Sequence, residues 1–122
     1  MFLLNGADIQ QSYGIDLGFQ PRGAKRISGD GKTPEGSYLI DRKNPGSRFH
    51  LSLGLDYPNA ADIAAAEAIG QDPGGDIFIH GASGTLGKNG TDWTFGCIAV
   101  TNREIEDIYA MVNIGTQVDL FA

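Results

Sequence analysis

The sequence predicts a mainly-β domain, a β-sandwich or partly closed barrel carrying two short helices. Three observations predict it. Glycine supplies 18 of 122 residues, roughly twice its average usage, and is dispersed as turns between short strands would require. Phe49, Leu51, Leu53 and Leu55 alternate with His50, Ser52 and Gly54, the period of a strand with one apolar face. Only residues 59–69 and 102–113 have helical character. A chain of this length forms one domain, residues 1–122. It buries roughly 60–70% of its unfolded surface, enough for a core without disulfides.

In chain order, Met1–Asn5 reads as the first strand and Asn5-Gly6 as a hairpin turn. Ile9–Gly18 reads as the return strand, because Tyr13, Ile15 and Leu17 alternate with Ser12, Gly14 and Asp16. Phe19–Lys25 is a connection, and Gly29–Gly36, with Pro34, is a loop of fixed shape. Ser37–Asp41 is a strand. Asn44-Pro45-Gly46 predicts a turn before the strand Phe49–Leu55. The alanine-rich stretch 59–69 is a helix capped by Asn59 and stopped by Gly70. Asp76–His80 and Cys97–Val100 are short, buried apolar runs separated by a polar, glycine-rich loop over 82–91. Thr101 and Glu104 have the spacing of a capping box. Ile105, Ile108, Tyr109 and Val112 follow at helical intervals, so a helix covers 102–113. Thr116–Phe121 is the last of six or seven strands.

Charge and composition exclude several function classes. The net charge of −6 argues against a nucleic-acid partner. Seven basic residues (Arg22, Lys25, Arg26, Lys32, Arg42, Lys43, Arg48) nevertheless fall between positions 22 and 48, against three acids. They read either as solvated loops or as a local positive face for an anionic polymer or a carboxylate-bearing peptide. One cysteine and two histidines cannot assemble a zinc site of the usual spacing, so no metal is expected. No apolar run is long enough to span a membrane. Met1–Leu4 is too short for a signal peptide and lacks a basic flank, which leaves a cytoplasmic protein or one whose leader has been removed. The oligomeric state is left open.

The candidate chemistry lies in two apolar runs. His80 closes Ile77-Phe78-Ile79-His80, and Cys97 opens Cys97–Val100 seventeen positions later. A thiol becomes a useful nucleophile beside an imidazole that takes its proton. Gly96 gives the backbone freedom before the cysteine, and the amides around Gly96 and Cys97 are candidates for stabilising an oxyanion. No carboxylate stands out to orient His80, so a backbone carbonyl such as that of Gly81 is the candidate for fixing its tautomer. Spacing alone also accommodates Cys97 as a small buried hydrophobe and His80 as a core histidine. Trp93, Thr94 and Phe95 are candidates for lining a substrate groove, or for packing beside one. His50, opposite the apolar face of its strand, is a candidate substrate contact or a surface hydrogen-bonding group.

Taken together, these segments resemble the L,D-transpeptidase catalytic domain family, the YkuD fold. Gly31-Lys32-Thr33-Pro34-Glu35-Gly36-Ser37-Tyr38 resembles its early loop and strand. His80-Gly81 resembles its His-Gly pair, and Thr94-Phe95-Gly96-Cys97-Ile98 its nucleophile motif. Gly115-Thr116-x-Val118 is similar to its closing strand. The stretches Phe49–Leu53, Tyr57-Pro58-Asn59 and Asp92-Trp93-Thr94 look most like the branch that detaches a lipoprotein from peptidoglycan.

The resemblance implies a periplasmic or cell-envelope enzyme acting on peptidoglycan stem peptides. Cys97 would form a thioester and His80 would act as general acid and base, by crosslinking or by hydrolysis, with no cofactor required. It departs from the family at Phe95, where His or Arg is usual, and at Ala99, often Arg, so substrate preference differs or another basic residue serves. The alternatives are a non-catalytic module binding cell-wall peptides and a thiol hydrolase of a non-wall amide.

Overall fold

The computed structural model describes residues 1–82 and 92–121. Within them lie seven strands and two helices: β1 (Phe2–Asn5), β2 (Asp8–Ser12), β3 (Gly36–Ser47), β4 (His50–Leu55), α1 (Ala60–Glu67), β5 (Phe78–His80), β6 (Ile98–Ala99), α2 (Asn102–Met111) and β7 (Gln117–Leu120). The domain is mainly β with two helices, as its sequence predicts. β1 and β2 form a separate hairpin, and the other strands form one sheet in the order β6-β5-β4-β3-β7. Neighbours are antiparallel except β5 and β6, which run parallel. The loop expected over 82–91 lies, apart from Ala82, outside the described residues.

The core follows the alternation of the strands. Ile40 of β3, Leu53 and Leu55 of β4, Ile79 of β5 and Ile98 of β6 are buried together with Ile105 and Ile108 of α2. α2 lies against β4 and β5. Its start is fixed as the sequence demands: the Glu104 amide donates to Thr101 Oγ1 at 3.2 Å, and the Thr101 amide donates to Glu104 Oε1 at 3.0 Å. This reciprocal pair satisfies two of the amides that a helix start leaves without partners. Asn59 and Asp62 make the same arrangement at α1.

Four expectations change. The first hairpin turns at Gly6-Ala7, one position later than expected, because Asn5 pairs with Asp8 and Gly6 takes the positive φ of +62°. β2 stops at Ser12 rather than continuing to Gly18. Beyond it the chain leaves the hairpin and bridges Ala99 and Thr94 instead. The expected alternation holds for Ser12, Tyr13 and Gly14 but fails at Asp16, which is fully buried and whose backbone exchanges hydrogen bonds of 2.9 and 2.8 Å with Ala99.

The Asn-Pro-Gly sequence, expected to turn, lies inside the twelve-residue strand β3. It is absorbed as an irregularity between Asn44 and Ser47, where Asn44 Oδ1 accepts the Gly46 amide at 2.9 Å. Pro45, which lacks an N–H, falls in this irregularity, where no partner on β4 is paired with it. The chain reverses at Arg48-Phe49, with His50 at φ +78°. Finally, α2 ends at Met111, before the expected 113.

Three of the clustered basic residues are held by contacts within the fold. Lys25 is buried against Asp30 at 3.1 Å. Arg42 lies over the Phe78 ring. Lys43 donates to the Tyr109 and Val112 carbonyls at 2.7 and 3.0 Å, where the end of α2 concentrates negative dipole.

Candidate active site

His80 ends β5, in register with Ser52 of β4 and Ala99 of β6. Its Nδ1 lies 2.7 Å from the Gly81 carbonyl oxygen. A carbonyl only accepts, so Nδ1 carries the proton and Nε2 is left as the basic nitrogen. The ring is 2% exposed. Phe49 stacks on it with centroids 4.3 Å apart, and Trp93 meets it edge-on at 6.0 Å. The Phe49 carbonyl accepts the Gly81 amide at 3.0 Å, so the turn of the β3–β4 hairpin also fixes the backbone after the histidine. Burial pushes the imidazole below its ordinary pKa, and the Gly81 hydrogen bond opposes that shift.

Cys97 stands immediately before β6 and is half-buried. Its thiol donates to the Asp76 carbonyl at 3.3 Å, and its sulfur accepts the Phe78 amide at 3.4 Å. Burial pushes the thiol above its ordinary pKa and the Asp76 charge adds to this, while the Phe78 amide and Lys25 act in the other direction. Both shifts favour the neutral forms, the thiol for Cys97 and the imidazole for His80.

The segment bearing the cysteine is held from below. Thr94 exchanges backbone hydrogen bonds with Leu17 and Phe19 at 3.1 and 2.8 Å. Trp93 Nε1 donates to the Asp16 carboxylate at 3.0 Å. Gly96 sits at φ +133°, and a Cβ there would lie 2.7 Å from the Lys32 carbonyl oxygen. Gly18 is still more confined: its Cβ would fall 2.1 Å from the Gly31 carbonyl oxygen. The glycine-rich loop 29–36 therefore forms the floor on which residues 94–97 rest, and glycine is required where these backbones cross.

His80 and Cys97 open on one cleft of about 520 Å³, lined also by Phe49, Ser52, Trp93, Thr94 and Phe95. Asn44, Ser47 and Arg48 of the β3–β4 hairpin complete one wall, and Asp76 and Phe78 lie beside the sulfur. Of the residues singled out by sequence, Cys97, His80, Trp93, Thr94 and Phe95 meet here, and Gly81 and Gly96 support them from behind. His50 does not line the cleft; its Nε2 lies 2.7 Å from Glu106 Oε1 on α2. The positive φ of His50 turns its side chain out of the alternation that placed it near the site. The Gly96 amide is not available to an oxyanion either, because it donates to Thr94 Oγ1 at 3.1 Å. Among the described residues, no protein acceptor takes the Cys97 amide.

The sequence does not single out Phe49, Ser52, Asp76 or Asp16, and it names Arg48 only within a cluster of seven basic residues. Phe49 and Ser52 enter it as alternating members of a strand and within a stretch that carries the family resemblance; the register of Ser52 with His80 gives them their place in the cleft. Among the described residues no cluster of His, Cys, Asp and Glu is arranged to hold a metal ion.

A curled, mainly-β sheet with a thiol and an imidazole on a shared cleft defines a class of cysteine-bearing catalytic domain. The chain belongs to the L,D-transpeptidase catalytic domain (YkuD) family, whose model matches residues 1–120. It is 34% identical over 92 residues to YafK of Escherichia coli K12, a protein provisionally named an L,D-transpeptidase, covering 74% of this chain and 32% of the relative. Pgp2 of Campylobacter jejuni, a helical cell shape determining protein, is 33% identical with a TM-score of 0.66, over 86% of this chain and 36% of that one. An L,D-transpeptidase from Mycobacterium smegmatis shares the fold at a TM-score of 0.61 and 15% identity, over 95% of this chain and 51% of that one. The chain thus spans about a third of the length of YafK and Pgp2.

Proposed function

We propose that this domain is a cysteine-dependent L,D-transpeptidase or hydrolase acting on peptidoglycan stem peptides, with Cys97 as nucleophile and His80 as general acid and base. Family membership supports the reaction class. The observation that carries the residue assignment is that the chain's single cysteine opens on the same cleft as a buried histidine whose Nδ1 is tied to a carbonyl, leaving Nε2 basic.

Both pKa shifts favour the neutral forms, and the thiol proton passes to His80 Nε2 as the sulfur attacks the carbonyl of an L-centre residue of the stem peptide. The C–S bond forms and the carbonyl oxygen gains the negative charge. The Cys97 amide is the donor proposed to receive it. Collapse breaks the bond to the adjoining D-residue, whose amine departs with the proton held on Nε2, and a thioester remains. A second amine, deprotonated by His80, gives a crosslink; water gives the free acid. Either acceptor releases the thiol, so the cycle closes with no cofactor. The stem-peptide substrate places the activity in the periplasm or cell envelope. No helix among the described residues is long and apolar enough to cross a membrane.

Incubation of the folded protein with defined tetrapeptide and crosslinked muropeptides, read by mass spectrometry, tests the proposal. The expected result is an acyl adduct on Cys97 and loss of the D-residue, both abolished in Cys97→Ala and His80→Ala with the fold intact. A folded wild-type protein that forms no adduct overturns it.

A further inference from the structure

The hairpin wall of the cleft presents hydrogen-bond donors with their acceptors already occupied. Asn44 Oδ1 accepts the Gly46 amide at 2.9 Å, which leaves the Asn44 side-chain NH2 for a ligand. Ser47 Oγ accepts twice, from the Ser52 hydroxyl at 2.5 Å and from the Phe49 amide at 3.0 Å, so its own proton is the one remaining function of that hydroxyl. Arg48 stands beside them, exposed, with no carboxylate partner among the described residues. It carries the one permanent positive charge among the described residues lining the cleft. The opposite sign, Asp76, lies beside the sulfur.

Three other basic groups are committed elsewhere. Lys25 pairs with Asp30, Lys43 with the end of α2, and His50 with Glu106. Ala99, two positions after the nucleophile, is fully buried and supplies no charge. We infer that Arg48, Ser47 and Asn44 form an anion subsite that binds a carboxylate of the stem peptide and thereby sets which carbonyl reaches Cys97. A planar guanidinium flanked by neutral donors matches a carboxylate in two-point contact. This assignment rests on the peptidoglycan reading given above, and the carboxylate has two sources. It is either the C-terminal carboxylate of the peptide or a side-chain carboxylate on its third residue.

Calorimetric titration of the Cys97→Ala protein, which binds without reacting, separates these sources. Three synthetic tetrapeptides share their first two residues. The first ends in a diamino diacid and D-alanine with both carboxylates free. The second is its C-terminal carboxamide, and the third carries lysine at position three. One of the two modified peptides binds about 10–100-fold more weakly than the first, and it identifies the source. Arg48→Gln in the same background produces a similar loss with the first peptide. The two losses are not additive, and Arg48→Lys recovers part of the binding. Ser47→Ala gives a smaller loss of the same kind.

Equal binding of all three peptides overturns the subsite, as does an Arg48→Gln protein that discriminates among them as before. Discrimination by Cys97→Ala together with no turnover by the wild type leaves the subsite standing and overturns the proposed chemistry. Turnover of all three peptides with equal kcat/KM overturns the subsite alone.

Discussion

The Phe49 ring lies 4.3 Å from the His80 imidazole at an interplanar angle of 20°. Nothing adjacent in sequence brings them together. Phe49 turns the hairpin between β3 and β4, and His80 ends a strand thirty-one positions later. The stack fixes one face of the base while Gly81 fixes its Nδ1, and the Phe49 carbonyl, which accepts the Gly81 amide, couples the two contacts. Replacing Phe49 by Ala frees that face. The expected outcome is a fall in kcat of about tenfold with KM little changed, since a misoriented base loses reactivity before it loses substrate. Phe49→Tyr retains the stack and most of the rate, and steady-state kinetics on a defined tetrapeptide compares the two.

The opposed shifts of Cys97 and His80 predict a specific pH behaviour for the thiol. Alkylation of Cys97 by iodoacetamide should rise with a midpoint above that of an ordinary thiol, because burial favours the neutral form. A plateau of fast alkylation at neutral pH would instead reveal a preformed ion pair.

Stability should fall on both sides of neutrality for the same reason. Below about pH 6.5 the unfolded histidine takes up a proton that folded His80 resists, so the unfolded state binds more protons and stability drops as pH falls through that window. Above the ordinary thiol pKa the unfolded cysteine loses its proton before the folded one does, so stability drops as pH rises. Thermal melting points of wild type and Cys97→Ala across about pH 5–10 check this. The variant should lose the alkaline decline that the thiol contributes.

Gly18 and Gly31 meet where no side chain fits, with a Cβ on Gly18 only 2.1 Å from a carbonyl oxygen. Backbone on both sides gives neither partner a rotamer to escape into. Gly18→Ala should therefore cost about 2–4 kcal/mol, measured by urea unfolding, and displace the turn that carries Cys97. Gly14, whose Cβ would meet nothing within 4 Å, is the control: Gly14→Ala should change stability little.

Thr101 offers a test remote from the cleft. Thr101→Ala removes the acceptor for the Glu104 amide at the start of α2 and should cost about 1 kcal/mol, again by urea unfolding, without altering the pH profile of alkylation.

What the chain reveals about itself divides along the range of the forces involved. Both helices were legible because their caps are local: Asn59 with Asp62 and Thr101 with Glu104 are each three residues apart. β4 was legible as a strand from its alternation, although the face is not one-sided: Ser52 and Gly54 are buried along with Leu53 and Leu55. Cys97 and His80 stood out by scarcity, and Gly81 as the partner of the base by adjacency. Asp16 did not, since a polar residue in an alternating run reads as solvent-facing until Ala99 and Trp93 are known to cover it. Asn44-Pro45-Gly46 misled for a related reason. Its turn chemistry is real, but the ladder between β3 and β4 continues on either side and converts it into a bulge. Arg48 could not be separated from six other basic residues by sequence, because what distinguishes it is where the hairpin ends.

The double hydrogen bond between Asp16 and Ala99 reaches beyond catalysis. β6 is the outermost strand on the cysteine side of the sheet, and the Asp16 segment covers the edge that would otherwise offer free amides and carbonyls to another molecule. The opposite margin, β7, has no such cover among the described strands. β7 is therefore an edge open to strand-by-strand pairing, away from the sulfur, and charges introduced along Gln117–Leu120 would blunt it with the cleft untouched.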